Sequence, residues 1–257
     1  MKKNILKIIN SKNKKSLVCL TAYSKPIAKI IDKYCDIVLV GDSLATAMYG
    51  MKNTHHVTLD TMILHGISVK SNLSNALCVV DMPANSYKNI KEAKKNAMLM
   101  IKKTKCDAIK IECNGKNFDI LKSIVKIGIP VMGHIGFTPQ YYKKFRVYGL
   151  LEKDRLKLVN EAIKIEKAGA FSVVLECISS TIAKEITGLL KIPTIGIGAS
   201  IHCDGQILVT DDMLGLSGFY PKFVKKFVRL NNIIEKGVQK YNKDVLTKKF
   251  PNKKNTF

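Results

Sequence analysis

Short apolar runs alternate with longer amphipathic stretches along most of the chain. Apolar runs at 17–20, 37–40, 77–80, 108–111, 130–132, 171–175, 194–197 and 207–209 have the length of strands and are rich in Val, Ile and Leu. Between most of them the spacing predicts helices, at 26–34, 58–70, 87–101, 119–126, 153–168 and 180–187. In the second of these, Leu59, Met62, Ile63, Ile67 and Val69 fall near one helical face. Ser180 is a candidate N-cap, and more helical material lies near 221–236. Eight runs with helices between them predict an α/β protein, a (β/α)8 TIM barrel. The expected organisation is one domain over 1–257, with a basic, partly mobile tail from about 242. The same alternation also allows an open, doubly wound sheet. Neither a glycine-rich dinucleotide fingerprint after the first run nor a Walker A pattern is present to favour it.

Composition changes this picture little. Hydrophobic residues make up 46% of 257 positions, enough for a large core. The formal net charge is +23, and nearly all the positive charge is lysine, with arginine only at 146, 155 and 229. Bidentate reading of phosphates and base edges usually uses arginine. The lysine excess therefore reads as a solvated surface, and no specific nucleic-acid partner is expected. The seven cysteines are odd in number and form no CxxC pair. They fit a reduced, cytoplasmic protein better than a disulfide framework. The first sixteen residues lack the apolar stretch and cleavage site of a signal peptide, and no apolar run reaches membrane-spanning length.

Chemistry gathers where the runs end. The second run leads into Gly41-Asp42-Ser43 and the third into Asp81-Met82-Pro83. The fourth ends Lys110-Ile111-Glu112, the fifth leads into Gly133-His134, and the sixth into Glu176-Cys177. In a barrel all these ends open on one face, where active sites form. Asp42, Asp81 and Glu112 then converge, and their repulsion needs protons, cationic side chains or a metal to offset it. Oxygen ligands of this kind suit Mg2+, which can stabilise charge on the enolate of an α-keto acid.

Each residue has a plainer reading. Asp42 can cap a loop, Asp81 can form a turn, and Glu112 can pair with Lys110. Lys110 and Glu112 lie two apart in a strand and share a face, so Lys110 can neutralise a substrate carboxylate or serve as a counterion. Glu176 is a candidate base or a structural acceptor. His134 is balanced between a ligand contact and a satisfied polar residue. The adjacent His55 and His56 would turn apart, and His65 has no metal-binding spacing. The glycine-rich turn at 195–200 can approach an anion or simply be tight, while Asp204 and Gln206 can organise the loop before the last run.

The ordered segments TAY at 21–23, LVGDSL at 39–44, HHVTLDTMILH at 55–65, VVDMP at 79–83 and KIE at 110–112 carry a resemblance. So do PVMGHIGFTPQ at 130–140, VLEC at 174–177, IGIGAS at 195–200, DGQILVTDDMLGL at 204–216 and PKFVK at 221–225. Together they resemble the ketopantoate hydroxymethyltransferases over almost the whole chain. The resemblance implies a barrel that forms a large homo-oligomer, often a decamer. It implies transfer of the one-carbon unit of 5,10-methylenetetrahydrofolate to 3-methyl-2-oxobutanoate, giving 2-dehydropantoate for pantothenate biosynthesis. It makes Asp42 and Asp81 direct Mg2+ ligands, with Glu112 in the same metal site. Asp42, Ser43, Asp81 and Lys110 become substrate contacts, and Glu176 the catalytic base.

The chain departs from the family's usual pattern at Ser24, Ala45, Ser71-Asn72, Ala84, Cys113-Asn114 and Ser200. These positions lie beside the acidic set, and they put loop shape and folate fit in question. Two alternatives stand next to the transferase. One is another Mg2+-dependent keto-acid lyase or aldolase on the same barrel; the other is a nonenzymatic polyanion-binding descendant.

Overall fold

The computed structural model describes residues 3–142, 145–218 and 220–257. Two compact units divide the chain, Met1–Val209 and Thr210–Phe257. The first holds β1 (Leu17–Thr21), β2 (Ile37–Val40), β3 (Leu77–Asp81), β4 (Ala108–Glu112), β5 (Val131–Gly136), β6 (Ser172–Glu176), β7 (Thr194–Ile197) and β8 (Gly205–Leu208). Every neighbouring pair is parallel, and β8 closes onto β1. The predicted (β/α)8 barrel is therefore the fold, and the open sheet is excluded.

The helices of this unit are α1 (Lys3–Ile9), α2 (Lys25–Ile31), α3 (Leu44–Ala47), α4 (Leu59–Lys70), α5 (Ile90–Thr104), α6 (Phe118–Lys126), α7 (Glu152–Lys167) and α8 (Ser180–Leu189). Two start on side-chain caps. Thr58 Oγ1 accepts the Thr61 N–H at 3.1 Å ahead of α4, and Asn89 Oδ1 accepts the Glu92 N–H at 2.9 Å ahead of α5. The second unit contains α9 (Thr210–Leu214) and α10 (Leu230–Leu246).

Strand alternation sorts the barrel interior into levels. Leu17, Ile37, Leu39, Leu77, Val79, Ala108, Met132, Val174, Ile195 and Ile207 belong to one buried apolar cluster. Ile5 and Ile8 of α1 join it, so α1 closes the barrel floor. Two residues beyond Val79 on the same face is Asp81; two and four beyond Ala108 are Lys110 and Glu112. His134 follows Met132 and Glu176 follows Val174 in the same way. In register, Asp81 stands beside Lys110 and Glu112 beside His134. The polar groups thus rest on an apolar floor.

Below that level, Lys12 pairs with Asp204 at 2.7 Å, and Asp204 also accepts the Thr194 N–H at 2.8 Å. Asp204 thereby organises the loop before β8.

Several boundaries differ from the spacing argument. The eighth strand begins at Gly205, because a Cβ there would lie 2.7 Å from the Leu17 carbonyl; the glycine is required by close packing. The helix expected near 221–236 begins only at Leu230, and Ser179 rather than Ser180 precedes α8. The apolar stripe Ile233, Ile234, Val238, Tyr241 and Val245 lies wholly after Arg229, so helical amphipathicity starts there. α10 continues to Leu246, past the expected start of the basic tail. The short α1, α3 and α9 carry too few residues for a periodic signal.

Ile5 is fully buried in the barrel-floor cluster. Ile5→Ala is expected to lower unfolding free energy by about 2–5 kcal/mol through lost burial and a residual cavity. Urea denaturation at neutral pH measures it; an unchanged midpoint would mean that α1 does not seal the floor.

Candidate active site

The strand ends bring the acidic residues into one buried group. Asp42 stands directly after β2 and Gly41, and its backbone N–H donates to Asp81 Oδ2 at 3.0 Å. Asp81 Oδ1 lies 3.1 Å from Lys110 Nζ, in ion-pair contact but outside hydrogen-bonding geometry. Lys110 Nζ is 3.3 Å from His134 Nδ1. An ammonium only donates, so Nδ1 accepts and the ring proton sits on Nε2. That Nε2 approaches Glu176 Oε2 to 3.2 Å without aligning as a hydrogen bond. His134 is therefore part of the site, next to both Lys110 and Glu176. Asp42, Asp81, Lys110, Glu112 and His134 are all buried.

Ser43 opens α3, and its hydroxyl is 2.8 Å from the Tyr23 hydroxyl. The Tyr23 carbonyl accepts from His65 Nδ1 at 2.6 Å, which leaves Nε2 to accept the Tyr49 hydroxyl proton at 2.7 Å. His65 thus braces the segment that contacts Ser43. His55 Nε2 donates to the Pro139 carbonyl at 3.1 Å and ties two loops together.

Sequence reasoning assigned no role to Gln140, Tyr87, Tyr23 or His65. Gln140 is the most connected of them. Its amide nitrogen donates to Asp42 Oδ2 at 2.7 Å and to the Met82 carbonyl at 2.9 Å. Its backbone N–H donates to Glu112 Oε2 at 3.0 Å, and Tyr87 donates to its Oε1. The one available signal was its place at the end of the matched segment 130–140.

Backbone shape carries Gln140 there. Gly136 has φ +94°, and a Cβ on it would meet the Glu176 carbonyl at 2.1 Å. Only glycine allows that approach, which lets Phe137 N–H bond the same carbonyl at 2.8 Å as the chain leaves the barrel.

Burial dominates the titration of this group. It raises Glu176 to about 8; Lys110 opposes the shift, while Asp42 and Asp81 add to it. It raises Asp81 to about 7 despite Lys110, with Asp42 contributing. Asp42 and Glu112 are also raised by burial, Glu112 further by Asp42. Burial alone would lower Lys110, but Asp81, Glu112 and Asp42 outweigh it and keep the ammonium charged. His134 is held neutral by burial, with Lys110 adding to the effect.

These residues suit a hard divalent cation. Asp81 Oδ1 and Glu112 Oε1 are buried carboxylate oxygens with no hydrogen-bond partner, and oxygen donors are what Mg2+ takes. Among the described residues, no three His, Cys, Asp or Glu side chains already close on one point. The fit is that of a site completed partly by water and substrate.

A family model described as ketopantoate hydroxymethyltransferase matches residues 2–253. The chain belongs to the ketopantoate hydroxymethyltransferase family. A relative from Pelagibacter ubique (strain HTCC1062), named 3-methyl-2-oxobutanoate hydroxymethyltransferase, is 50% identical over 257 residues and all of both chains. Relatives of the same name from Anaplasma marginale (strain Florida) and Thermosipho africanus (strain TCF52B) are 47% and 46% identical, covering 96% and 98% of this chain and 91% and 97% of theirs. Among solved structures, a phosphonopyruvate hydrolase complex with oxalate and Mg++ aligns with TM-score 0.65 at 10% identity, over 99% of this chain and 93% of that one. A 2,3-dimethylmalate lyase aligns with TM-score 0.59 at 14% identity, over 100% and 89%. At such identities these two show the shared barrel alone. Family membership at full length removes the lyase or aldolase alternative and the nonenzymatic one.

The raised Glu176 predicts a pH effect with a definite sign. Its unfolded pKa is near the ordinary carboxylate value of about 4.3, and its folded value is about 8. Its contribution to stability is therefore complete below the unfolded value and lost as pH rises toward 8. In chelator-treated protein, the melting temperature should fall between those limits, and Glu176→Gln should flatten the fall. Equal slopes for the two proteins would show that Glu176 does not titrate in this range.

Proposed function

We propose that this chain transfers the one-carbon unit of 5,10-methylenetetrahydrofolate to 3-methyl-2-oxobutanoate, with 2-dehydropantoate and tetrahydrofolate as products, and that the residues of the barrel mouth divide the work as follows. The single supporting observation is the buried meeting of Asp42, Asp81, Glu112, Lys110 and Glu176 in a chain of this family.

Asp42 and Asp81 would hold Mg2+ directly, with Glu112 in the same site through water. When bound, the cation supplies Lewis-acid polarisation of the keto oxygen. Lys110 neutralises the substrate carboxylate, and the Ser43 hydroxyl, braced by Tyr23, hydrogen-bonds the keto acid. Glu176 takes the proton from C3. His134 Nε2 stands 3.2 Å from that carboxylate, in contact with it but not aligned as a hydrogen bond.

The atoms balance. C3 loses one hydrogen and gains CH2OH, whose oxygen comes from water. Tetrahydrofolate recovers two N–H hydrogens, one traceable to C3 and one to that water.

The cellular setting is inferred in the same way. Seven buried free thiols suit a reducing cytoplasm, and among the described residues no helix is long and apolar enough to cross a membrane. A homo-oligomer, a decamer on the family resemblance, is in keeping with α10, which carries Ile233, Ile234, Val238, Tyr241 and Val245 and buries none of its residues. The charge distribution gives no ground for proposing a specific nucleic-acid partner. Of the arginines, Arg155 is already committed to Glu185, through bonds of 2.7 and 2.6 Å.

Purified protein with Mg2+, keto acid and methylenetetrahydrofolate should form 2-dehydropantoate by mass, and omission of the folate should abolish it. Glu176→Gln should slow C3 proton–deuterium exchange by about a hundredfold or more while still binding metal and keto acid. Exchange at the normal rate would remove Glu176 from the role of base.

A further inference from the structure

We infer that Gln140 is a positioning residue for the carboxylates that take the divalent cation and the keto acid. The inference rests on the metal reading above and extends it to a side chain outside the acidic set.

The argument starts from donor counting. The Gln140 amide has two N–H donors, and both are used, one on Asp42 Oδ2 and one on the Met82 carbonyl. A carbonyl cannot donate, so the amide cannot be turned around without losing both bonds. The Tyr87 hydroxyl on Oε1 fixes the same orientation. The backbone N–H of Gln140 engages Glu112 Oε2. One loop residue therefore touches acids at the ends of two strands and the backbone just after a third.

The result is a division within each carboxylate. Asp42 Oδ2 and Glu112 Oε2 are held by Gln140, and Asp81 Oδ2 by the Asp42 N–H. Asp81 Oδ1 and Glu112 Oε1 are left buried and without hydrogen bonds. A carboxylate with one oxygen anchored has lost most of its freedom to rotate, so its other oxygen is presented in a set direction.

The loop that carries Gln140 is itself tied down. His55 bonds the Pro139 carbonyl at 3.1 Å, Asn117 bonds the Tyr141 hydroxyl at 2.6 Å, and the Tyr142 hydroxyl bonds Asn114 Oδ1 at 3.0 Å. Gln140 thus reaches the acids from a fixed base, as ligand orientation requires.

Mn2+ serves as the probe, because its free ion is read directly by electron paramagnetic resonance. Gln140→Met keeps the length and the backbone N–H but removes both side-chain donors. It is expected to melt close to wild type and to bind Mn2+ about ten- to a hundredfold more weakly, with the affinity for keto acid in the presence of Mn2+ falling in parallel. A folded Gln140→Met protein with wild-type Mn2+ affinity overturns the inference. Should that variant not fold, Tyr87→Phe keeps the amide and removes only the group that orients it. Its Mn2+ affinity should fall about fivefold, and an unchanged value overturns the inference equally. Wild type and Asp81→Asn, run alongside, separate the two readings. If wild type has no Mn2+ site that Asp81→Asn removes, the metal reading fails and takes this one with it. If that site exists and the Gln140 variant keeps it intact, only the role of Gln140 fails.

Discussion

A carboxylate withdrawn from water must find a cation, a proton or an N–H donor, and the barrel mouth withdraws four of them around one lysine. Asp42, Asp81 and Glu112 are buried and Glu176 nearly so, while Lys110 is the ammonium in contact with Asp81 and His134. Burial raises all four acids, and Lys110 opposes but does not cancel the rise for any of them. The group is short of positive charge. Such a deficit lowers stability in the free protein and at the same time favours binding of a divalent cation. The apolar barrel floor, with α1 packed into it, is where compensating stability resides.

Hydrogen bonds then decide which oxygens share in that deficit. Backbone N–H groups of Asp42 and Gln140 and the Gln140 amide each take one carboxylate oxygen. Asp81 Oδ1, in ion-pair contact with Lys110, and Glu112 Oε1 are left without hydrogen bonds. Neutral donors are suited to this, since they orient a carboxylate without discharging it as a second lysine would. On the other side, His134 Nε2 approaches Glu176 without a hydrogen bond. Lys110 occupies its Nδ1, which holds the ring neutral and turns an N–H toward Glu176.

The readable part of this arrangement was the part governed by strand period. Lys110 and Glu112 lie two apart, Asp81 ends a run of apolar residues, and Asp42 and Glu176 follow or finish theirs; each placement needs only alternation and the rule that barrel sites form at strand ends. Gln140, Tyr87, Tyr23 and His65 lie outside that rule. Gln140 meets Asp42 across 98 positions of sequence, and His65 meets Tyr23 across 42. Contacts made by loops and by a helix side chain leave no period in the sequence. His65 also illustrates a limit of motif reading: its spacing carried no hint of a bracing role. The early start of β8 was hidden for a related reason. Gly205 has the look of a loop residue, and only its closeness to Leu17 explains why a strand begins there.

Apart from Ser71-Asn72, which ends α4 ahead of β3, the departures from the family's usual pattern follow strand ends on the site's side of the barrel. Where two glycines are usual, this chain has Cys113-Asn114. Cys113 is fully buried, and Asn114 accepts the Tyr142 hydroxyl two residues after Gln140. Ser200, where a glycine is usual, bonds the Ser180 hydroxyl at 3.0 Å across to the start of α8. Glycine supplies no side-chain bond, so each of these replacements gives up backbone freedom and adds a tether. The tether at Asn114 acts on the same loop that holds the acids in place. These bonds lie beside Asp42, Asp81, Lys110, Glu112 and Glu176 and leave that group in place.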